Sequence, residues 1–194
     1  MDPHINFYRR RGKRIFDVFA ASAALIVLAP LLGLIALVVR IALGSPVLFS
    51  QIRGGLHQHP FHILKFRSMT DGRDPAGRSL PDNARITRLG RFLRATSLDE
   101  LPELWNVLRG EMSLVGPRPL PLDEVRRFDD LSHRRRLSVR PGLTCTWQVS
   151  GRNDTTYEER VAFDEYYIRN WSLWMDLYIL ARTFQSVVHA EGAY

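Results

Sequence analysis

The residues with the greatest chemical reach are Asp99 and Glu100, adjacent carboxylates in the run Arg94-Ala95-Thr96-Ser97-Leu98-Asp99-Glu100-Leu101-Pro102-Glu103-Leu104-Trp105. Further on, Gly116-Pro117-Arg118-Pro119 holds an arginine in a stiff loop, because both prolines fix φ. An ionised aspartate can attack phosphorus and form an acyl phosphate. A neighbouring glutamate can hold Mg²⁺, which takes few protein carboxylates and favours phosphate oxygens and water. A pre-positioned guanidinium suits two-pronged phosphate binding. Each feature also has a plainer reading. Acidic residues in a first helical turn are routine caps, and Ser97 with Glu100 has the spacing of a capping box. A Pro-Arg-Pro turn is more commonly a plain surface turn.

The elements that must position these groups can be read from periodicity. Leu101, Leu104, Trp105 and Leu108 follow i, i+3, i+4, i+7 and predict an amphipathic helix that Gly110 ends. Asp99 and Glu100 then sit at its N-terminus, where the dipole favours anions and is expected to keep Asp99 ionised. Upstream, Val47–Gln51 and Phe61–Phe66 read as short strands around a Gly54-Gly55 turn. Residues 70–83 read as loop. Arginines at 85, 88, 91 and 94 form a basic stripe at helical spacing, either a solvated face or a contact for phosphates and headgroups. Residues 123–138 read as a polar, arginine-rich helix. Glu158 to about Val188 reads as largely helical, with aromatic clusters at Tyr166-Tyr167 and Trp171–Trp174. Such clusters suit a membrane–water interface and a protein core equally.

Residues 18–39 carry no charge over 22 positions, with Ser22 the only polar side chain. That exceeds the roughly 20 residues a helix needs to span a hydrocarbon core. A cleaved signal peptide fits poorly, because the apolar run is long and no small-x-small site follows it. A simple span would put everything after residue 44 on the far side. Pro30 near the middle removes a backbone hydrogen bond, and the far flank is basic as well, at Arg40 and Arg53. A helix broken at Pro30 that enters and leaves by one face accommodates both facts, although spanning helices also tolerate proline. Lys13 and Asp17 lie at i,i+4 and read as an interfacial charge pair.

Lys+Arg 27 against Asp+Glu 20 leaves a net charge of +7, which favours anionic partners without choosing among them. The one cysteine, Cys145, excludes an intrachain disulfide, and no histidine is placed beside it to make it a nucleophile. His57, His59 and His62 cluster, but without the cysteines of a usual zinc site. No helix-turn-helix, zinc or aromatic RNA-binding motif supports nucleic acid as a partner.

Long, ordered motifs now come together. They are Lys65-Phe66-Arg67-Ser68-Met69, Thr87–Arg94, Thr96–Val107, Met112–Pro119, Pro141–Thr144, Trp147-Gln148-Val149 and Ser150-Gly151-Arg152-Asn153. In this order they resemble the bacterial sugar transferases, the monotopic phosphoglycosyl transferases, over nearly the whole chain. The resemblance implies an α+β fold. Residues 1–44 would be a basic N-terminus and re-entrant membrane helix. Residues 45–194 would be a small, mainly helical cytoplasmic catalytic domain with a short β-hairpin and interfacial amphipathic helices. It implies transfer of a sugar 1-phosphate from a UDP-sugar to undecaprenyl phosphate, with release of UMP, at the bacterial inner membrane as the first membrane step of exopolysaccharide or related glycan synthesis. Asp99 would be the nucleophile, and Glu100, with Asp99, would hold the required Mg²⁺. Arg94, Arg118 and Lys65 would bind phosphate, and Asp164, Asp176 and Arg152 would support the site. The chain resembles the short form of the family. Thr144–Gln148 resembles the hexose branch, which suggests galactose or glucose. Membrane lipids are further expected partners, and a homodimer stays open. The competing reading is a basic, membrane-anchored binding or regulatory protein that performs no catalysis.

Overall fold

A computed structural model describes residues 8–126, 134–150 and 155–188. The chain is α+β. Helix α1 spans Lys13–Leu43, preceded by a single wider turn at Tyr8–Gly12. Strands β1 (Leu48–Gly54) and β2 (Pro60–Phe66) pair antiparallel from Leu48↔Phe66 to Gly54↔Pro60. Short helix α2 (Asp82–Arg85) and α3 (Arg88–Ala95) precede a 3₁₀ turn at Leu98–Glu100 and α4 (Glu103–Arg109). Strand β3 (Ser113–Val115) pairs in parallel with β4 (Gly142–Thr144), with α5 (Leu122–Val125) between them. A 3₁₀ turn at Trp147–Val149 leads to α6 (Tyr157–Asn170) and α7 (Leu173–Val188).

Helix α1 forms because residues 18–39 offer mainly good helix formers and nothing charged. The element continues through Pro30. Its inward stripe recurs at helical spacing and feeds two hydrophobic clusters. Phe16, Ala20, Ala21, Ala24, Leu25 and Leu28 join Phe61, Ile63, Leu104, Val107 and Leu114. Leu31, Leu32, Ile35, Ala36, Val39 and Leu43 join Phe66, Leu93, Leu98 and Leu101. The helix therefore lies along the rest of the molecule for its whole length. Both ends are also tied down by hydrogen bonds. Near the start, Arg14 donates to the carbonyls of Val107 (2.5 Å) and Leu108 (2.8 Å) at the end of α4. At the other end, Arg67 donates to the carbonyls of Leu43 (3.3 Å) and Ser45 (3.1 Å). The opposite face exposes Phe19, Ile26, Val27, Leu34, Leu37 and Ile41.

Helix α7 is similarly inverted relative to a helix in water. It buries Asp176, Ile179 and Ser186, and exposes Trp174 (80%), Tyr178 and Phe184. Asp176 is held from the far end of the chain. It pairs with Lys13 at 2.6 Å and accepts from Tyr8 and from the Tyr167 hydroxyl, the latter at 2.7 Å. This corrects the expected Lys13–Asp17 pair. Asp17 instead accepts from the Ser113 hydroxyl (2.7 Å) and the Leu114 amide (3.1 Å).

Other expectations shift locally. The expected tail helix is two helices, divided at Trp171-Ser172. Its aromatic pairs divide too: Tyr167 is buried and packs on Trp171, while Tyr166 and Trp174 are exposed. On α4 the buried face is Leu104, Asn106 and Val107, and Trp105 points outward. Within 123–138, helix is present at Leu122–Val125 and a 3₁₀ turn at Arg136–Ser138, while 127–133 lie outside the described residues.

Candidate active site

Four segments converge on one cavity of about 850 Å³, lined among others by Lys65, Ser68, Arg94, Asp99, Glu100 and Arg118. Lys65 arrives on β2. Phe61, Ile63 and Lys65 share a strand face; the two apolar residues enter the core and the lysine reaches its edge. The turn carrying Asp99 and Glu100 is anchored by Leu98 and Leu101 in the second cluster. Ser97 takes the left-handed conformation (φ 55°) and makes no side-chain cap. The capping box expected at Ser97 and Glu100 is therefore absent. The chain forms one instead at α6, where Thr156 and Glu159 cap each other's backbone (2.7 and 3.2 Å).

Glu100 spends its carboxylate on cations. Its Oε1 accepts from Lys65 at 2.5 Å and from Arg118 at 3.0 Å. Lys65 also lies 3.2 Å from Glu103, a buried residue that sequence reasoning did not single out as functional. Burial alone would raise the Glu100 carboxyl, but Arg118 and Lys65 together outweigh it and hold it well below the usual range. Glu103 goes the other way: burial, then the Glu100 charge, push it up. Asp99 is also pushed up, to about 6, first by burial and then by Glu100, against Lys65 and Arg94. The expectation that a helix dipole would lower Asp99 is thus overturned. Asp99 sits in a 3₁₀ turn ahead of α4, and desolvation dominates there.

The Arg118 loop is clamped on both sides. The Gly116 amide donates to Thr144 (3.0 Å) and the Gly142 amide to Pro117 (2.9 Å). A side chain at Gly142 would meet the Gly116 amide at 2.1 Å, so only glycine allows this approach. From the hairpin, Arg53 donates to the Pro119 carbonyl at 3.3 Å and Gly54 to Leu120 at 3.0 Å. Arg118 lies 6.0 Å from the Trp147 ring, on which Arg160 sits at 4.7 Å. The basic stripe divides. Arg94 bonds the Ser68 hydroxyl (3.0 Å) and, with Arg85, lines the cavity, while Arg88 and Arg91 are exposed.

Asp164 and Asp176 do not line the cavity. Asp164 forms a buried pair with Arg136 at 2.7 Å, and burial pushes it up to about 6 against that arginine. Arg152 lies outside the described residues. Cys145 is buried and its thiol is pushed up by that burial, which leaves it inert. His62 meets the Ser50 hydroxyl at 3.1 Å. Arg53, Glu103 and Arg160 are the site residues that sequence reasoning missed. A basic residue on the same strand face as its polar neighbours was the available signal for Arg53.

No group of three or more His, Cys, Asp or Glu side chains is arranged to enclose a metal among the described residues. The donor set suits a different kind of site. Asp99 is raised by burial and then by the Glu100 charge, in spite of two nearby cations. Both cations on Glu100 use one oxygen, Oε1. A hard divalent ion that takes one or two carboxylates and keeps water and phosphate oxygens fits these residues.

Residues 8–190 match the bacterial sugar transferase family, and the chain belongs to that family. It is 46% identical to the uncharacterised sugar transferase EpsL of Bacillus subtilis, over 93% of this chain and 89% of that one. It is 46% identical to the UDP-glucose:undecaprenyl-phosphate glucose-1-phosphate transferase of Caulobacter vibrioides, over 94% and 72%. It is 43% identical to the undecaprenyl-phosphate galactose phosphotransferase of Salmonella typhimurium, covering 94% of this chain but only 41% of that enzyme's length.

Proposed function

We propose that this protein transfers a hexose 1-phosphate from a UDP-sugar to undecaprenyl phosphate, giving the lipid diphosphate sugar and UMP. The observation that carries this reading is the cavity in which Asp99 and Glu100 face Lys65, Arg94 and Arg118. Glucose and galactose in the names of its relatives agree with a hexose donor and leave its identity to a donor screen. Asp99 attacks the sugar-bearing phosphorus, and the bond to the UMP oxygen breaks. The lipid phosphate oxygen then attacks the same phosphorus and frees the Asp99 carboxylate. Arg118 and Arg94 offset the repulsion between these anions. Glu100, with Asp99, would hold Mg²⁺, which supplies charge neutralisation at the transferring phosphate. Lys65 fixes the Glu100 carboxylate so that its orientation persists through both steps.

Membrane attachment at a single face is part of the same proposal. Helix α1 has 31 residues, about 46 Å at 1.5 Å per residue. The helix runs on through Pro30 without the expected break, and both its ends bond to the same folded body, which supports a helix held at one membrane face over one that leaves the body and crosses. The exposed apolar faces of α1 and α7 suit lipid. A cytoplasmic site, where nucleotide sugars are made, follows from the donor. Purified protein mixed with a UDP-hexose, undecaprenyl phosphate and Mg²⁺ is expected to release UMP; absence of UMP with every UDP-sugar would favour the non-catalytic binding reading. Cysteines placed in the two flanks of α1 are expected to label from the same side, and opposite sidedness would sink the re-entrant arrangement.

A further inference from the structure

The cavity has two unlike ends, and β1 runs between them. At one end Arg53 reaches the Arg118 loop, and Arg118, Trp147 and Arg160 follow one another across the wall. At the other end the lining is Pro46, Leu48 and Phe49. That end is joined to α1, because Arg67, also in the lining, binds the carbonyls of Leu43 and Ser45. Phe49 pairs across the hairpin with Lys65. Directly opposed residues share a sheet face, so the phenylalanine flanks the lysine that holds Glu100, while Leu48, opposite Phe66, lies on the other face of the strand and joins the lining at its end. Leu48 and Phe49 are 41% and 48% exposed, in a cavity whose other walls are largely charged. Four residues of chain away, the exposed apolar face of α1 ends at Leu37, Val38 and Ile41.

From these observations we infer that Pro46, Leu48 and Phe49 form the notch that seats the first isoprene units of the polyprenyl phosphate acceptor. The inference rests on the phosphotransfer reading above. An acceptor with an apolar tail and an anionic head needs an apolar exit continuous with the bilayer and cations close beside it. Among the described residues this end supplies both, since Lys65, Arg67 and Arg94 line the cavity next to the notch. The donor carries no such tail, and its base and ribose suit the opposite end, with its indole, guanidinium and amide groups. The two substrates thus reach Asp99 from opposite ends, and the acceptor's tail stays in lipid throughout.

The test is the Leu48→Ser/Phe49→Ser double variant beside the wild type and Phe49→Leu, all in nanodiscs. Two readouts separate the ends of the cavity: UMP release from the UDP-hexose without acceptor, and KM for undecaprenyl phosphate in full turnover. In the double variant the acceptor KM is expected to rise about tenfold, equivalent to about 1.4 kcal/mol, with UMP release at the wild-type rate. Phe49→Leu, which keeps an apolar side chain, is expected to hold KM within about threefold, less than 1 kcal/mol. An unchanged acceptor KM in the double variant overturns the inference alone. A raised donor KM with slowed UMP release assigns the notch to the donor and likewise overturns it. A wild type that releases no UMP overturns the phosphotransfer reading itself, and the inference with it.

Discussion

Two of the buried or half-buried ionic clusters among the described residues, those around Asp176 and around Glu100, act to opposite effect. Around Asp176 both carboxylate oxygens are bonded. Lys13 and Tyr8 share one carboxylate oxygen and Tyr167 takes the other. The rings of Tyr167 and Trp171 stand 5.9 and 5.6 Å from the Lys13 amine. Around Glu100 the charges are shared and not paired off. Asp99, Glu100 and Glu103 crowd near Lys65, Arg94 and Arg118, and two of the three carboxyls are pushed up by burial and by the Glu100 charge. The first cluster is sealed and joins the two ends of the chain. The second opens on a cavity where a cation and phosphates would enter. Bonded, enclosed charge holds a structure, whereas crowded carboxyls with shifted titration at a cavity mark a place where something else binds.

Neutralising one carboxylate in each cluster should separate the two. Asp99→Asn is expected to lower turnover by roughly 10⁴-fold or more, as loss of a covalent nucleophile does. Its stability should move the other way. The folded carboxyl titrates near 6, above its ordinary value of 3.8, so stability falls as pH rises through that interval and wild type carries the full penalty above it. At pH 8 the variant's Tm should equal or exceed that of wild type. Appreciable turnover in Asp99→Asn would falsify the covalent mechanism.

Asp176→Asn comes next in size. It removes the carboxylate bonded to the buried Lys13 amine, leaving Asp17 as the remaining nearby counter-charge, and is expected to cost about 3 kcal/mol. The lower Tm should accompany UMP release that is unchanged per folded molecule. A variant with unaltered Tm but lost UMP release would mean that the two clusters had been assigned the wrong way round. The smallest effect is a matter of pH. UMP release without acceptor should fall about tenfold per pH unit once Asp99 is mainly protonated, below about 6. Bound Mg²⁺ should move that limb lower, since a nearby cation favours the carboxylate. A flat profile from pH 5 to 8 would show that ionisation of Asp99 does not control the step.

The apolar run, the hairpin around Gly54-Gly55, the end of α4 at Gly110 and the Asp99-Glu100 dyad all depend on local pattern, and all were legible in the sequence. The partner of Lys13 was not, because Asp17 at i+4 was the visible candidate while Asp176 lies 163 positions away. Local pattern misled at Ser97. Its capping-box spacing is genuine, but two cations claim Glu100 and the backbone turns left-handed. The same spacing at Thr156 and Glu159, on an exposed start of α6, folds as the pattern says. Trp105 followed the apolar period yet faces out, and Asn106 points in because its side chain has backbone partners at Leu64 and His62. Periodicity reports apolar spacing; it does not report which polar group has a buried partner waiting.

The Lys13–Asp176 pair also sets an order of events in biosynthesis. At roughly 5–20 residues per second, Lys13 is synthesised on the order of 10–30 s before Asp176 exists. Through that interval α1 cannot complete the contacts that bury its first turn. Its exposed apolar face has only lipid or a chaperone to meet. Closure of the clamp therefore comes after that first encounter, when α7 brings Asp176 to Lys13.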